Sequence, residues 1–146
     1  MIKKILNTIK HGRITNIIKG GSNGSIVLLE IKSNEKQYIL YIYCSWRLSI
    51  INKVLTGSNE DSTDINSRYN KEMNNLNGDV INNLIINNFG DFSINFKSKK
   101  TLDVFCDLTY YDNEGNSVEN WTLCDVSENK CYNFTSNFNI ENESYE

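Results

Sequence analysis

Apolar residues recur at alternate positions through much of this chain, which is the period of half-buried β-strands rather than of helices. Val27, Leu29 and Ile31 alternate in one run, Phe92, Ile94 and Phe96 in a second, and Leu102 and Val104 in a third. Turn residues cut the pattern into strands over 14–18, 26–32, 37–44, 46–51, 80–86, 91–97, 101–107, 108–111, 119–126 and 130–134. Ser33–Lys36 has the length of a hairpin turn, and Asp112-Asn-Glu-Gly-Asn116 is a second one. Gly20–Ser25 lacks the Lys-Ser/Thr of a phosphate-binding loop and leads into a strand, so it reads as a turn.

One stretch breaks the alternation. After the polar segment Gly57–Asp64, Tyr69, Met73 and Leu76 fall at the spacing of one helical face. Ser62 and Asp64 are candidate N-caps for this helix, and Asn77-Gly78 supplies residues that tolerate a left-handed C-cap. The tail from Asn137 is polar and acidic and is expected to fray.

The strands also repeat as a group. Ile14-x-x-Ile17-Ile18 aligns with Ile81-x-x-Leu84-Ile85, and Gly24 with Gly90. Val27-x-Leu29-x-Ile31-Lys32-Ser33 aligns with Phe92-x-Ile94-x-Phe96-Lys97-Ser98, and Leu40-x-Ile42-Tyr43-Cys44 with Leu102-x-Val104-Phe105-Cys106. A Trp-x-Leu follows each copy, at Trp46–Leu48 directly and at Trp121–Leu123 after an inserted hairpin. A unit with one apolar face cannot stand alone. The expected fold is mainly β: two similar antiparallel β-meander units packed as a sandwich or open barrel, with one short connecting helix. At 146 residues the chain suits a single domain, with unit one over about 12–51, the connection over 57–78, unit two over about 80–134 and the tail over 137–146.

Composition changes this picture little. The chain has no Ala or Pro and 24 Asn, as an AT-rich gene would encode, and the Asn residues are dispersed among the strands rather than clustered. The apolar N-terminal run is broken at Asn7, no stretch has the length of a membrane span, and a cytoplasmic location follows as the expectation. Cys44, Cys106, Cys124 and Cys131 are then reduced thiols by default. Cys44 and Cys106 read as small buried hydrophobes, and Cys124 and Cys131 could face each other across a hairpin.

Charge does add something. Residues 1–56 hold nine Lys or Arg against two acids, and residues 101–146 hold one Lys against ten acids. Such asymmetry marks either an interaction surface or the two halves of one mixed surface. Candidate chemistry is thin beside it. Glu30-Ile-Lys32 imitates the end of a nuclease metal site, but no acid precedes Glu30 to complete a cage for a hard cation. The lone histidine, His11, sits in a polar segment and reads as solvent-exposed, and the cysteines lack metal-ligand spacing. No catalytic residue, metal site or cofactor is expected. The acidic last third argues against nucleic acid as a partner. The aromatics Tyr38, Tyr41, Tyr43, Trp46, Tyr110, Tyr111 and Trp121 suit core packing or, where exposed beside acids, a protein interface.

Gln37–Leu48, ending Cys-Ser-Trp-Arg-Leu, together with Gly90-Asp-Phe-Ser-Ile-Asn-Phe, Leu102-Asp-Val-Phe and Trp121-Thr-Leu, resembles small β-rich bacterial immunity proteins. These belong to polymorphic toxin and contact-dependent growth inhibition systems, and the resemblance spans roughly residues 12–126. It implies a cytoplasmic, non-enzymatic protein that binds and neutralises one cognate protein toxin, often a nuclease, with no membrane partner and an oligomeric state left open. The alternative is a β-barrel for a small ligand or lipid, using the aromatic strands as a pocket. A toxin that acts on nucleic acid presents a basic cleft, and acid would be steered to it. The candidate partner-binding residues are therefore Asp103, Asp107, Tyr110, Tyr111, Asp112, Glu114, Glu119 and Asp125.

Overall fold

A computed structural model describes residues 1–19, 26–107, 111–137 and 139–144. The chain opens with α1 (Ile2–Leu6) and a 3-10 turn (Asn7–Ile9), then β1 (Arg13–Lys19), β2 (Val27–Ser33), β3 (Lys36–Ile42), β4 (Ser45–Ile50) and β5 (Lys53–Gly57). After α2 (Arg68–Asn75) come β6 (Ile81–Ile86), β7 (Phe92–Phe96), β8 (Lys100–Phe105), β9 (Glu119–Asp125), β10 (Lys130–Thr135) and β11 (Ile140–Glu143). Two antiparallel sheets pack together without closing into a barrel, ordered β1-β2-β3-β9-β10-β11 and β5-β4-β8-β7-β6.

The two units do not keep one sheet each. β1–β3 and β6–β8 form meanders in opposite sheets, and each chain half then crosses over to add strands beside the other's third strand. Trp46 lies opposite Val104 and Leu48 opposite Leu102, while Trp121 lies opposite Ile42 and Leu123 opposite Leu40. Those pairs interchange when one copy of the repeat is exchanged for the other, as approximate two-fold symmetry requires. The register irregularity between Ile14 and Asn16 recurs between the equivalent Ile81 and Asn83. The duplication is thus written in the pairing register as well as in the sequence.

One core fills the space between the sheets. The alternating sets Val27-Leu29-Ile31 and Phe92-Ile94-Phe96 are all buried in it. Trp121 is fully buried, stacked on Phe134 at 5.4 Å and edge-on to Phe92 at 5.6 Å, and its Nε1 donates to the Gly90 carbonyl at 3.1 Å. Trp46, its counterpart, packs on Tyr69 of α2 at 5.5 Å. The connecting helix therefore covers one end of the core that the repeat leaves open.

Gly90 is required twice over. Its φ is +85°, and a Cβ there would lie 2.1 Å from the Phe134 ring. Gly90→Ala is expected to cost about 2 kcal/mol, from the left-handed backbone and the displaced ring together. Gly115→Ala, at φ +79° in open space, isolates the backbone part and should cost about 1 kcal/mol. Urea denaturation of both variants measures the difference. Equal losses would show that the ring contact carries no weight.

Several sequence expectations are corrected here. The α2 cap is Ser67, whose Oγ accepts from Asn70 N at 3.2 Å, whereas the Asp64 carboxylate closes a turn on Asn66 N at 2.9 Å. Ser62 and Asp64 lie ahead of the helix start at Arg68, and their carbonyls receive the Asn70 side chain. The connecting helix is not alone, since α1 buries Ile5 and Leu6 although its five residues carry no side-chain cap. Tertiary burial sustains so short a helix, and no propensity signal announced it. β5 was missed because its bulge against β4 breaks the alternation. The tail does not fray throughout, because β11 pairs with β10 from Phe134–Ile140 to Cys131–Glu143. Of the expected strand 108–111, residues 108–110 lie outside the described residues, as does the Gly20–Ser25 loop, and Tyr111 forms an isolated bridge with Ser117.

The cysteines differ from expectation as well. Cys124 and Cys131, directly opposed on β9 and β10, form a disulfide, with both residues buried. Antiparallel register brought them within bonding reach, which sequence separation alone does not settle. Cys44 and Cys106 are free and only half-buried, at the rim of the core rather than within it.

Candidate functional site

The two crossovers, from β3 to β4 and from β8 to β9, leave from the same end of the sandwich, and one side chain ties them. Asn120, at the start of β9, is 2% exposed. Its Nδ2 donates to the Asp107 carbonyl at 2.9 Å, and its Oδ1 accepts from Asp107 N at 2.8 Å. Its own carbonyl accepts from Tyr43 N and Cys44 N at 3.0 and 3.2 Å. Asn rather than Asp is needed, because the side chain must donate and accept at once. The β5 end is pinned alongside, with Ser58 Oγ accepting from Trp46 N at 3.1 Å.

Between these segments lies an open cleft of about 490 Å³, with Ser58 and Asn59 on one side and Tyr43 and Cys44 on another. Asp107 and Glu119 stand at its mouth, both exposed. A second open cleft of about 380 Å³ continues past Tyr43, Val118 and Glu119 to Glu141.

The structure sorts the sequence-derived candidates into groups. Asp107, Tyr111, Asp112, Glu114 and Glu119 all lie on or beside the β8–β9 connection, at the crossover end. Tyr111 is 49% exposed. Asp112 is partly structural: its carboxylate accepts from Glu114 N at 2.9 Å and Asn116 N at 2.8 Å, and these backbone donors hold it below the usual carboxylate range. Tyr110 lies outside the described residues. Asp103 does not share a strand face with Asp107, because β8 ends at Phe105. It sits on the outer face of its sheet, hydrogen-bonded by Ser93 and paired with Arg47 at 3.3 Å. Arg47 also lies over the Phe105 ring at 5.2 Å.

Asp125 is separated from the others. It ends β9 at the far end of the strand, is 8% exposed, and pairs with Lys36 at 3.3 Å. Lys36 also bonds Glu128, and the two carboxylates push the lysine above its ordinary value. Strand direction explains the split, since seven residues of β9 carry the chain from one end of the sheet to the other.

Charge follows the same division in part, since Lys19, opposite Val27 and so beside Ile42, and Arg47 lie toward the crossover end. Lys32, Lys36, Lys53, Lys97, Lys100 and Lys130 occupy strand ends or turns remote from the crossovers. Acids from other segments join the crossover end. Asp91 accepts from Cys106 N at 2.7 Å, and Glu60 and Asp61 stand in the loop after β5. Glu60 is engaged by Arg68 at 2.5 Å, while Asp61 is held low by the Thr63 hydroxyl and amide. Sequence reasoning passed over these three because they lie in the charge-balanced middle of the chain, and only the topology brings them to the last third. The available signal was the polar segment Gly57–Asp64.

No family model, curated protein or solved structure matches the chain. The arrangement itself therefore carries the functional reading. Among the described residues no three His, Cys, Asp or Glu side chains group as metal ligands, and no helix is long and apolar enough to cross a membrane. What the crossover end offers chemically is exposed carboxylate at the mouth of a cleft, which suits attraction of a cationic surface.

Proposed function

We propose that this is an immunity-type binding protein that neutralises a cognate bacterial toxin domain, such as a nuclease, by covering its active site. The observation that carries this reading is the exposed pair Asp107 and Glu119 at the mouth of the crossover cleft, with Asp91 bonded to Cys106 N beside it and Glu60 and Asp61 in the loop that continues from the cleft residues Ser58 and Asn59. A nucleic-acid-cleaving domain must present a basic cleft to phosphate, and an acidic rigid surface is steered to that cleft and occupies it. The action is binding rather than catalysis, it needs no cofactor, and nucleic acid and membrane are not partners. The reading places the protein in the cytoplasm. There the Cys124–Cys131 bond would persist through burial of both sulfurs, since reduction requires access for an attacking thiolate.

A different observation favours the ligand-binding alternative. A cleft of about 370 Å³ beneath α1 has Ile5, Tyr38, Leu123 and Tyr132 as apolar walls. Lys36, Asp125, Glu128 and Lys130 line it too, so a ligand there would be amphipathic rather than a plain lipid chain.

The test is co-purification with the toxin domain encoded beside this gene and protection of a strain sensitive to that toxin. Binding with protection is expected. Failure to bind any co-encoded toxin rejects the reading.

A further inference from the structure

Cys44 and Cys106 occupy equivalent places in the two copies of the repeat, and the fold brings them together. Ser45 pairs with Phe105 at the end of the β4–β8 ladder, so the next residues outward on the two strands are Cys44 and Cys106. Residues directly opposed in an antiparallel pair lie about 4.5–5.5 Å apart at Cα, within the span that a disulfide bridges, and Cys44 and Cys106 follow the last such pair of this ladder. Both share the inward parity of Trp46 and Val104, and both pack against the rim of the core. Cys44 is near enough to raise the Cys106 thiol above its ordinary value, and Asp91 accepts from Cys106 N at 2.7 Å. Neither thiol is sealed off, and Cys44 lines the 490 Å³ cleft.

We propose that Cys44 and Cys106 form a redox-active dithiol that small disulfides convert to a second intramolecular disulfide, stapling the two crossovers. The inference rests on the strand register and on the shared place of the two thiols against the core rim, and does not depend on the binding function above. Cys44, open to the cleft, attacks the small disulfide as thiolate and displaces one of its sulfurs as a thiolate. Cys106 loses its proton to solvent and attacks the Cys44 sulfur, expelling the second. Two protein thiols thereby lose two electrons and two protons, and the small disulfide is reduced to two thiols. The neighbouring Cys44 sulfur, toward which the Cys106 S–H donates, and partial burial both raise the Cys106 thiol above its ordinary value, and Cys44 opens onto the cleft, so Cys44 is the entry point and Cys106 the resolving group.

The staple joins positions far apart in sequence, and closing so long a loop restrains the unfolded chain strongly. It also fixes the two segments that wall the cleft.

The test incubates the full chain, with Cys124–Cys131 intact, with oxidised glutathione at neutral pH, followed by alkylation, intact mass and peptide mapping. The expected product has lost the mass of two hydrogen atoms, retains no glutathione, carries no alkylated cysteine and yields a cross-linked Cys44–Cys106 peptide. Its thermal midpoint should rise by on the order of 10 °C. Cys44→Ser and Cys106→Ser should each abolish the cross-link and the thermal shift, and either variant alone suffices if the other does not fold. A stable glutathione adduct on the unsubstituted chain, two thiols still open to alkylation, or an unmoved midpoint overturns the proposal.

Discussion

Replacing Trp121 with alanine is expected to destabilise the fold by about 4 kcal/mol, the largest effect of any single substitution considered. The side chain is fully buried and touches both sheets: it pairs across to Ile42, stacks on Phe134 and meets Phe92 edge-on. Truncation opens a cavity that the surrounding strands cannot fill, because each is held by its ladder on both sides. It also leaves the Gly90 carbonyl without its 3.1 Å indole donor. Trp121→Phe keeps much of the volume and loses the donor, so it should cost about 1–2 kcal/mol. Against a typical total of about 5–15 kcal/mol for a single domain, the alanine variant sits near the limit of folding. Urea denaturation followed by circular dichroism reads both values. A loss below about 1 kcal/mol for the alanine variant would mean that the sheets repack around the gap.

Reversing the charges of Asp107 and Glu119 together is expected to slow association with the toxin domain roughly 100-fold at low salt, with the difference shrinking as salt screens it. Both carboxylates stand exposed at the mouth of the crossover cleft, where they contribute to long-range steering. The Asp107 backbone, which Asn120 does need, is untouched by Asp107→Lys. Asp125→Asn is the matched control. Asp125 lies at the opposite end of β9, buried against Lys36, so its loss should leave the association rate unchanged. Stopped-flow mixing at two ionic strengths checks both. Equal on-rates for the reversed and unaltered proteins would remove the acidic end from the interface, while a slowed Asp125→Asn would move the interface to the other end.

The strand pattern was legible because a half-buried strand must alternate, and Val27-Leu29-Ile31 or Phe92-Ile94-Phe96 states that requirement locally. The repeat was legible for the same reason, as two stretches facing the same environment select the same apolar positions. α1 and β5 were hidden, since the former is held by tertiary burial and the latter enters through a bulge. The candidate site was read in part. Asp107, Tyr111, Asp112, Glu114 and Glu119, grouped from the sequence, all lie on or beside the β8–β9 connection. Asp103 and Asp125 were grouped with them by proximity in sequence, which is a poor guide along a strand. A few residues suffice to turn a side chain to the other face or carry it to the other end.

The sequence by itself determined the local facts: which segments are strands, which faces are apolar, where the connecting helix lies, and that the chain is two copies of one unit. Tertiary structure alone decided how those copies combine. Each third strand has an unsatisfied edge, and each Trp-x-Leu strand needs a partner, so the halves exchange strands instead of stacking as separate sheets. That exchange puts both crossovers at one end. It brings Asp91 to the Cys106 amide there, sets Cys44 and Cys106 just beyond the last pair of the β4–β8 ladder, joins Cys124 to Cys131, and sends Asp125 away from its sequence neighbours. Backbone hydrogen bonding between strands remote in sequence sets all of these positions, and no local pattern of side chains encodes which remote strand will be the partner.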